Sequence, residues 1–152
     1  MDTLKRLLQQ ALGDADFKQL DDAQSLAVLD LLNAVVLADG ELSEAEANAV
    51  SRELLGVPWS FELPRKEVEE HVERSRKRIS KLRGAKSMRS FVEKTAAKLP
   101  DGALREKIAR MMVLVAAPEG INDAEESALQ AFAEVSGIPP QRLKALKDAA
   151  GV

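Results

Sequence analysis

The side chains best placed to do chemistry are carboxylates. Ala38–Glu46 reads A-D-G-E-L-S-E-A-E, four acids in nine residues, and Ala117–Glu125 repeats the pattern as A-P-E-G-I-N-D-A-E. Oxygen-only donors of this kind suit a hard divalent cation, Ca²⁺ or Mg²⁺. Asp39 is the acid that helix electrostatics disfavours. It falls where an apolar helix ends, among unpaired carbonyls and at the negative end of the dipole. A bound cation or a nearby Lys or Arg would relieve it. Glu44 and Glu46 open the following helix, where negative charge is favoured, and Ser43 with Glu46 forms a capping-box pattern that needs no metal. The stretch also matches the second half of an EF-hand loop, with Glu46 at the last ligand position. The first two ligand positions then fall on Val35 and Leu37, both apolar, so an EF-hand is excluded.

The opposite charge is concentrated elsewhere. Arg74–Arg89 holds eight bases (Arg74, Arg76, Lys77, Arg78, Lys81, Arg83, Lys86 and Arg89) and no acid, in a chain whose net charge is only −3. Such a run either meets a phosphate-rich partner, nucleic acid or an anionic membrane surface, or is a solvated hairpin complementing the acidic remainder. Phe91 is the one aromatic nearby, and its apolar neighbours claim it for the core. His71, in V-E-E-H-V-E-R-S, reads as a surface histidine. Trp59 and Phe61 read as anchors pinning a loop to the core.

Other chemistry is absent from the sequence. Cysteine is missing, which removes disulfides, thiolate catalysis and thiolate-bound zinc, and a single histidine leaves no second imidazole. No glycine-rich phosphate loop, nucleophile elbow or H-E-x-x-H motif occurs, so no enzymatic activity is expected. The N-terminus, M-D-T-L-K-R-L-L-Q-Q, is amphipathic and unlike a signal peptide. No apolar run approaches the roughly 18–20 residues of a membrane helix. A soluble, cytoplasmic protein is expected.

The elements that must position these residues are all helical. Hydrophobic residues make up 45% of 152 residues, enough for one domain over 1–152 to bury a core without covalent staples. Apolar spacing gives seven to eight helices and no convincing period-two segment. Leu4, Leu7, Leu8 and Leu12 mark the first helix. Asp21 or Asp22 caps the second, whose later part, L-D-L-L-N-A-V-V-L-A, is apolar nearly all round and belongs at the centre. Ser43 opens a third helix, ended by Gly56. Val68, Val72, Ser75, Ile79 and Leu82 form a narrow stripe on a fourth, which therefore lies on the surface. Met88 to Leu99 is a fifth, and M-M-V-L-V-A-A makes a sixth as apolar as the second. Asn122 opens a seventh, ended by Gly137, and I-P-P starts the last.

The two acidic stretches thus sit in equal contexts: a buried helix, an acid–glycine turn, a capping box and a second helix ending in G-V-P or G-I-P-P. This predicts a duplicated helix-loop-helix, with halves at about 21–56 and 103–137 joined by the basic segment 64–99. Two such pairs satisfy each other when their all-apolar helices pack together. Over roughly residues 20–148 the chain resembles the tellurite-resistance TerB family, a fold shared by the N-terminal cytosolic region of the DjlA co-chaperone. The resemblance lies in A-D-G-E-L-S-E-A-E, its echo A-P-E-G-I-N-D-A-E and an all-α chain of about this length. The echo departs from the pattern, with Pro118 and Glu119 where alanine and aspartate are usual. The resemblance implies a non-enzymatic stress-response module that binds a divalent metal and recruits a protein partner. It implies Asp39 and Glu46 as metal residues, with Glu119 and Glu125 at the echo positions. The competing expectation is a binder of phosphate backbone or anionic membrane through Arg74, Arg76, Lys77, Arg78, Lys81 and Arg83.

Overall fold

The computed structural model describes residues 2–38, 43–57, 59–82, 84–116 and 120–151. Among these are nine helices and no strand: α1 Asp2–Ala11, α2 Asp14–Gln19, α3 Asp22–Leu37, α4 Glu44–Leu55, α5 Arg65–Ser80, α6 Gly84–Ala96, α7 Ala103–Ala116, α8 Asp123–Val135 and α9 Pro140–Ala149. The chain is one all-α body. The helix that sequence periodicity misses is α2. Its six residues are too few to show a period, and only Asp16, whose carboxylate accepts from the Gly13 amide at 3.0 Å, marks its start.

α3 is the central helix because no face of it is polar enough to meet water. Every residue from Ala27 to Val35 is buried, and it touches α4, α5, α6, α7 and α8. α7, the other apolar helix, packs on α3, α1, α8 and α9, and buries Ile108, Met111, Met112 and Val113. α5 presents the narrow stripe expected of it: Val68, Val72, Ser75 and Ile79 are buried against α3, and most of the rest is solvated.

Two polar clasps fix the register of α3 and α5. Asp22, in the first turn of α3, accepts from the amides of Glu62 and Leu63 at 2.9 and 3.1 Å. Asp21, not Asp22, is the cap of this helix, accepting from Gln24 N at 2.8 Å. Two turns further on, Asp30 lies 3.0 and 3.2 Å from His71 Nε2. Asp22–Leu63 and Asp30–His71 are both separated by 41 positions, so the two helices run in the same direction. His71 is therefore not the surface residue its charged neighbours imply. Asp30 is buried on the core helix, where a carboxylate needs a partner, and the imidazole is that partner.

The loop from α4 to α5 is pinned as expected. Trp59 donates its indole N–H at 2.8 Å to the Leu54 carbonyl at the end of α4, which also accepts from Val57 N at 3.4 Å. Its ring meets Phe17 edge-on at 5.1 Å and lies 6.2 Å from Phe61. The end of α6 is held differently. Arg105, nearly fully buried on α7, donates to the carbonyls of Ala96, Leu99 and Pro100 at 2.9 to 3.1 Å, and to Ser136 Oγ at 3.1 Å. A cation at that position also suits the negative end of the helix dipole.

Candidate functional site

The acidic turns come first, as the sequence ranks them. Asp39 and Glu119 lie outside the described residues. Glu46 is exposed and closes a capping box: its carboxylate accepts from Ser43 N at 3.2 Å while Ser43 Oγ accepts from Glu46 N at 3.1 Å. Glu125, half-buried, does the same, accepting from Asn122 N at 3.0 Å while Asn122 Oδ1 accepts from Glu125 N at 2.8 Å. Both acids therefore have a structural task in a first helical turn, where the dipole favours them. Gly120, at φ +81, takes the left-handed conformation that a turn between two helices needs.

One described residue of the first motif lies beside the second. Ala38, at the end of α3, shares a cavity of about 270 Å³ with Asp123, Ala124 and Ser127 of α8, and with Leu82, Gly84 and Met88. The end of the first apolar helix thus abuts the start of the second repeat's exit helix. Among the described residues, no group of three His, Asp or Glu converges as metal ligands would.

The basic segment is sorted by the structure into cations already paired and cations without an internal ion pair. Arg76 is buried, with its guanidinium 2.6 Å from Glu73, and Lys77 lies 3.9 Å from the same carboxylate. Arg89 pairs with Glu134 on α8 and with Glu93, the latter at 2.8 Å, and those two carboxylates raise its pKa further. Arg83 lies outside the described residues. Arg74, Arg78, Lys81 and Lys86 are exposed on the α5–α6 hairpin, and none has an ion pair among the described residues.

Two of these cations, Arg78 and Lys86, border a groove. Arg78 of α5 and Lys86, Ser87, Ser90, Phe91 and Lys94 of α6, with Leu82 between the helices, line a depression of about 380 Å³. Lys86, Ser90 and Lys94 follow one another at intervals of four, and Ser87 and Phe91 do likewise, so consecutive turns of α6 present them on one face. Phe91 is buried and forms the floor. The Arg78 guanidinium lies over its ring at 5.3 Å from the centroid, a cation–π contact that orients the planar group. Among the described residues, no carboxylate lines this groove.

No protein-family model, curated protein or solved structure matches the chain. Its chemistry has to be read from its own residues.

Sequence spacing missed Lys94. It lies beyond the uninterrupted basic run, on the far side of Glu93, and only the four-residue interval from Lys86 through Ser90 connects it to the others. Asp30 and His71 were also missed as a pair. The signal was present in the carboxylate of L-D-L-L-N, which no helix buried on all sides can leave unpartnered.

Proposed function

We propose that the protein is a non-catalytic cytoplasmic interaction module that holds nucleic-acid phosphates on the α5–α6 hairpin. The observation that carries this reading is the sorting of its cations. Arg76, Lys77 and Arg89 are close to internal carboxylates, while Arg74, Arg78, Lys81, Lys86 and Lys94 have no ion pair among the described residues. Unpaired, exposed guanidinium and ammonium groups on one hairpin are what counterion release from a phosphate backbone requires. An anionic membrane surface is less favoured. An interfacial helix needs an apolar face to bury in lipid, and that of α5 is spent on α3. Among the described residues the exposed large hydrophobic is Val135, on α8. No described helix is long and apolar enough to cross a membrane.

Five phosphate contacts to duplex DNA correspond to a slope of about −4.5 in log K against log[salt], and to about −3.5 for a single strand. Fluorescence anisotropy with labelled 12-nucleotide strands from 25 to 200 mM salt measures it. Absence of binding at the lowest salt, or a slope near zero, sinks the reading.

A second reading has its own observation. Ala38, at the end of α3, and Asp123, at the start of α8, line one cavity. That supports a TerB-like stress-response role, in which Asp39, Glu46, Glu119 and Glu125 hold Ca²⁺ or Mg²⁺ and a protein partner docks there. Specific binding at a hundredfold excess over Kd stabilises by about 2.7 kcal/mol, a gain of several degrees in Tm. The gain should vanish in Asp39→Asn. An unmoved Tm with Ca²⁺, Mg²⁺, Mn²⁺ and Zn²⁺ alike removes this role.

A further inference from the structure

We infer that the groove between α5 and α6 is a seat for a phosphate monoester, the terminal 5′-phosphate of a nucleic-acid strand. The inference rests on the phosphate-holding reading of the hairpin and names the group that occupies its centre. Three observations lead to it.

The first is charge. A backbone diester carries one negative charge, whereas a monoester carries about −1.5 to −2 at neutral pH and offers three acceptor oxygens. The groove supplies cations from both walls, Arg78 from α5 and Lys86 and Lys94 from α6, and no carboxylate among the described residues lines it. That concentration exceeds what one diester needs.

The second is geometry. Along α6, Lys86 and Lys94 are about 12 Å apart, with Ser90 midway, one turn from each. A phosphate at the level of Ser90 lies between two ammonium groups and beside the hydroxyls of Ser87 and Ser90, which can donate to its oxygens. Arg78 approaches from the opposite wall. Its planar fork is oriented by the Phe91 ring, so less side-chain freedom is lost when it binds a second oxygen.

The third is size. A depression of about 380 Å³ is at the small end of the roughly 300–1,000 Å³ range of ligand pockets. It has room for a phosphate and its attached sugar, resting on Leu82 and Phe91, and not for a base pair.

The test uses the full chain and two single-stranded 12-mers of one sequence, labelled at the 3′ end, carrying either a 5′-phosphate or a 5′-hydroxyl. The expected result is about tenfold tighter binding of the phosphorylated strand at pH 7.5, by the added charge-assisted hydrogen bonds. Millimolar inorganic phosphate should erase the difference. The preference should also fade below about pH 6, where the monoester dianion takes up a proton and becomes a monoanion. Ser87→Ala/Ser90→Ala should lose the preference while binding the hydroxyl strand as before. Both changes favour helix, so circular dichroism should stay unaltered. Arg74→Gln/Lys81→Gln should weaken both strands equally and keep the preference.

Equal affinity for the two strands overturns the inference and leaves the phosphate-holding hairpin intact. If neither strand binds at low salt but ribose 5-phosphate raises Tm in the wild type and not in the double serine variant, the terminal-strand assignment and the hairpin reading both fall. The groove is then a site for free phosphate monoesters. If neither strand nor ribose 5-phosphate has any effect, both proposals are wrong.

Discussion

The two helices that open on capping boxes, α4 and α8, start alike and end differently. In both, an apolar helix leads to a capping box, Ser43 with Glu46 and Asn122 with Glu125, of nearly identical geometry. Past the first turn they diverge. α8 packs on α3, α6, α7 and α9 and buries Ala128, Leu129, Ala131, Phe132 and Ala133. α4 packs on α3 and α1, and its buried residues are Ser51, Leu54 and Leu55. The exits differ as well. Gly137, at φ +71, closes a Schellman motif in which Ile138 N donates to Ala133 O at 2.8 Å and Gly137 N to Glu134 O at 3.2 Å. Gly56 stays right-handed at φ −74, and the Leu54 carbonyl accepts from both Val57 N and the Trp59 indole. Short sequence signals therefore set local geometry, while neighbours on the bundle decide how much each copy carries.

The contrast can be strained at several points. Phe132→Ala in α8 should cost about 3–5 kcal/mol in urea unfolding, and Leu54→Ala in α4 about 2–3 kcal/mol. Equal costs would mean that α4 is as central as α8. Gly137→Ala should lose about 1–2 kcal/mol, because an L-residue resists the left-handed conformation. Gly56→Ala should change stability by less than about 0.5 kcal/mol. Its new Cβ meets the Glu53 carbonyl at a tight 3.2 Å, but its backbone is ordinary and the unfolded chain loses freedom. If the two glycine variants behave alike, the exits do not differ energetically.

The beginnings should behave as equals. Ser43→Ala and Asn122→Ala should each cost about 1 kcal/mol, whatever the burial of the helix that follows. A difference above about 1 kcal/mol would show that tertiary context reaches the first turn too. The smallest effect concerns α2, which lies outside the duplication. Asp16 accepts from Lys107 Nζ at 3.0 Å, and that hydrogen bond holds its carboxyl below the ordinary carboxylate range. Its contribution is therefore present above the unfolded-state pKa and lost as pH falls through the lower folded value. Asp16→Asn should cost under about 1 kcal/mol at pH 7, since the lysine is about half exposed. The deficit should close on titration toward pH 3 and below.

Much of this architecture is legible in the sequence because burial and capping act over a few residues. The apolar runs at Leu31–Ala38, broken only by Asn33, and Met111–Ala117 mark the central helices, and Ser43 and Asn122 mark two helix starts. The stripe from Val68 to Ile79 gives the buried face of α5 before any packing is known. What is not legible depends on pairs far apart in the chain. Asp30 meets His71 across 41 positions, Arg89 meets Glu134 across 45, and Arg105 meets Ser136 across 31. No local period records such meetings. The candidate site shows the same limit. Of the acids read as ligands, Glu46 and Glu125 each close a capping box, and the sequence pattern shows that role as readily as the other. The cations that stay solvated are distinguished from Arg76 and Arg89 only by where the partners of the latter lie.

The matched offset between α3 and α5 also has a kinetic side. Two parallel helices cannot meet through a tight hairpin. Their first contact must close a loop of some forty residues containing α4, at an entropic cost on the order of 3 kcal/mol beyond that of local helix formation. Formation of the α3–α5 pair is then expected to be late and slow. Lengthening the chain near Ser60 should slow folding while barely altering equilibrium stability, because each doubling of a flexible loop adds only about 0.6 kcal/mol.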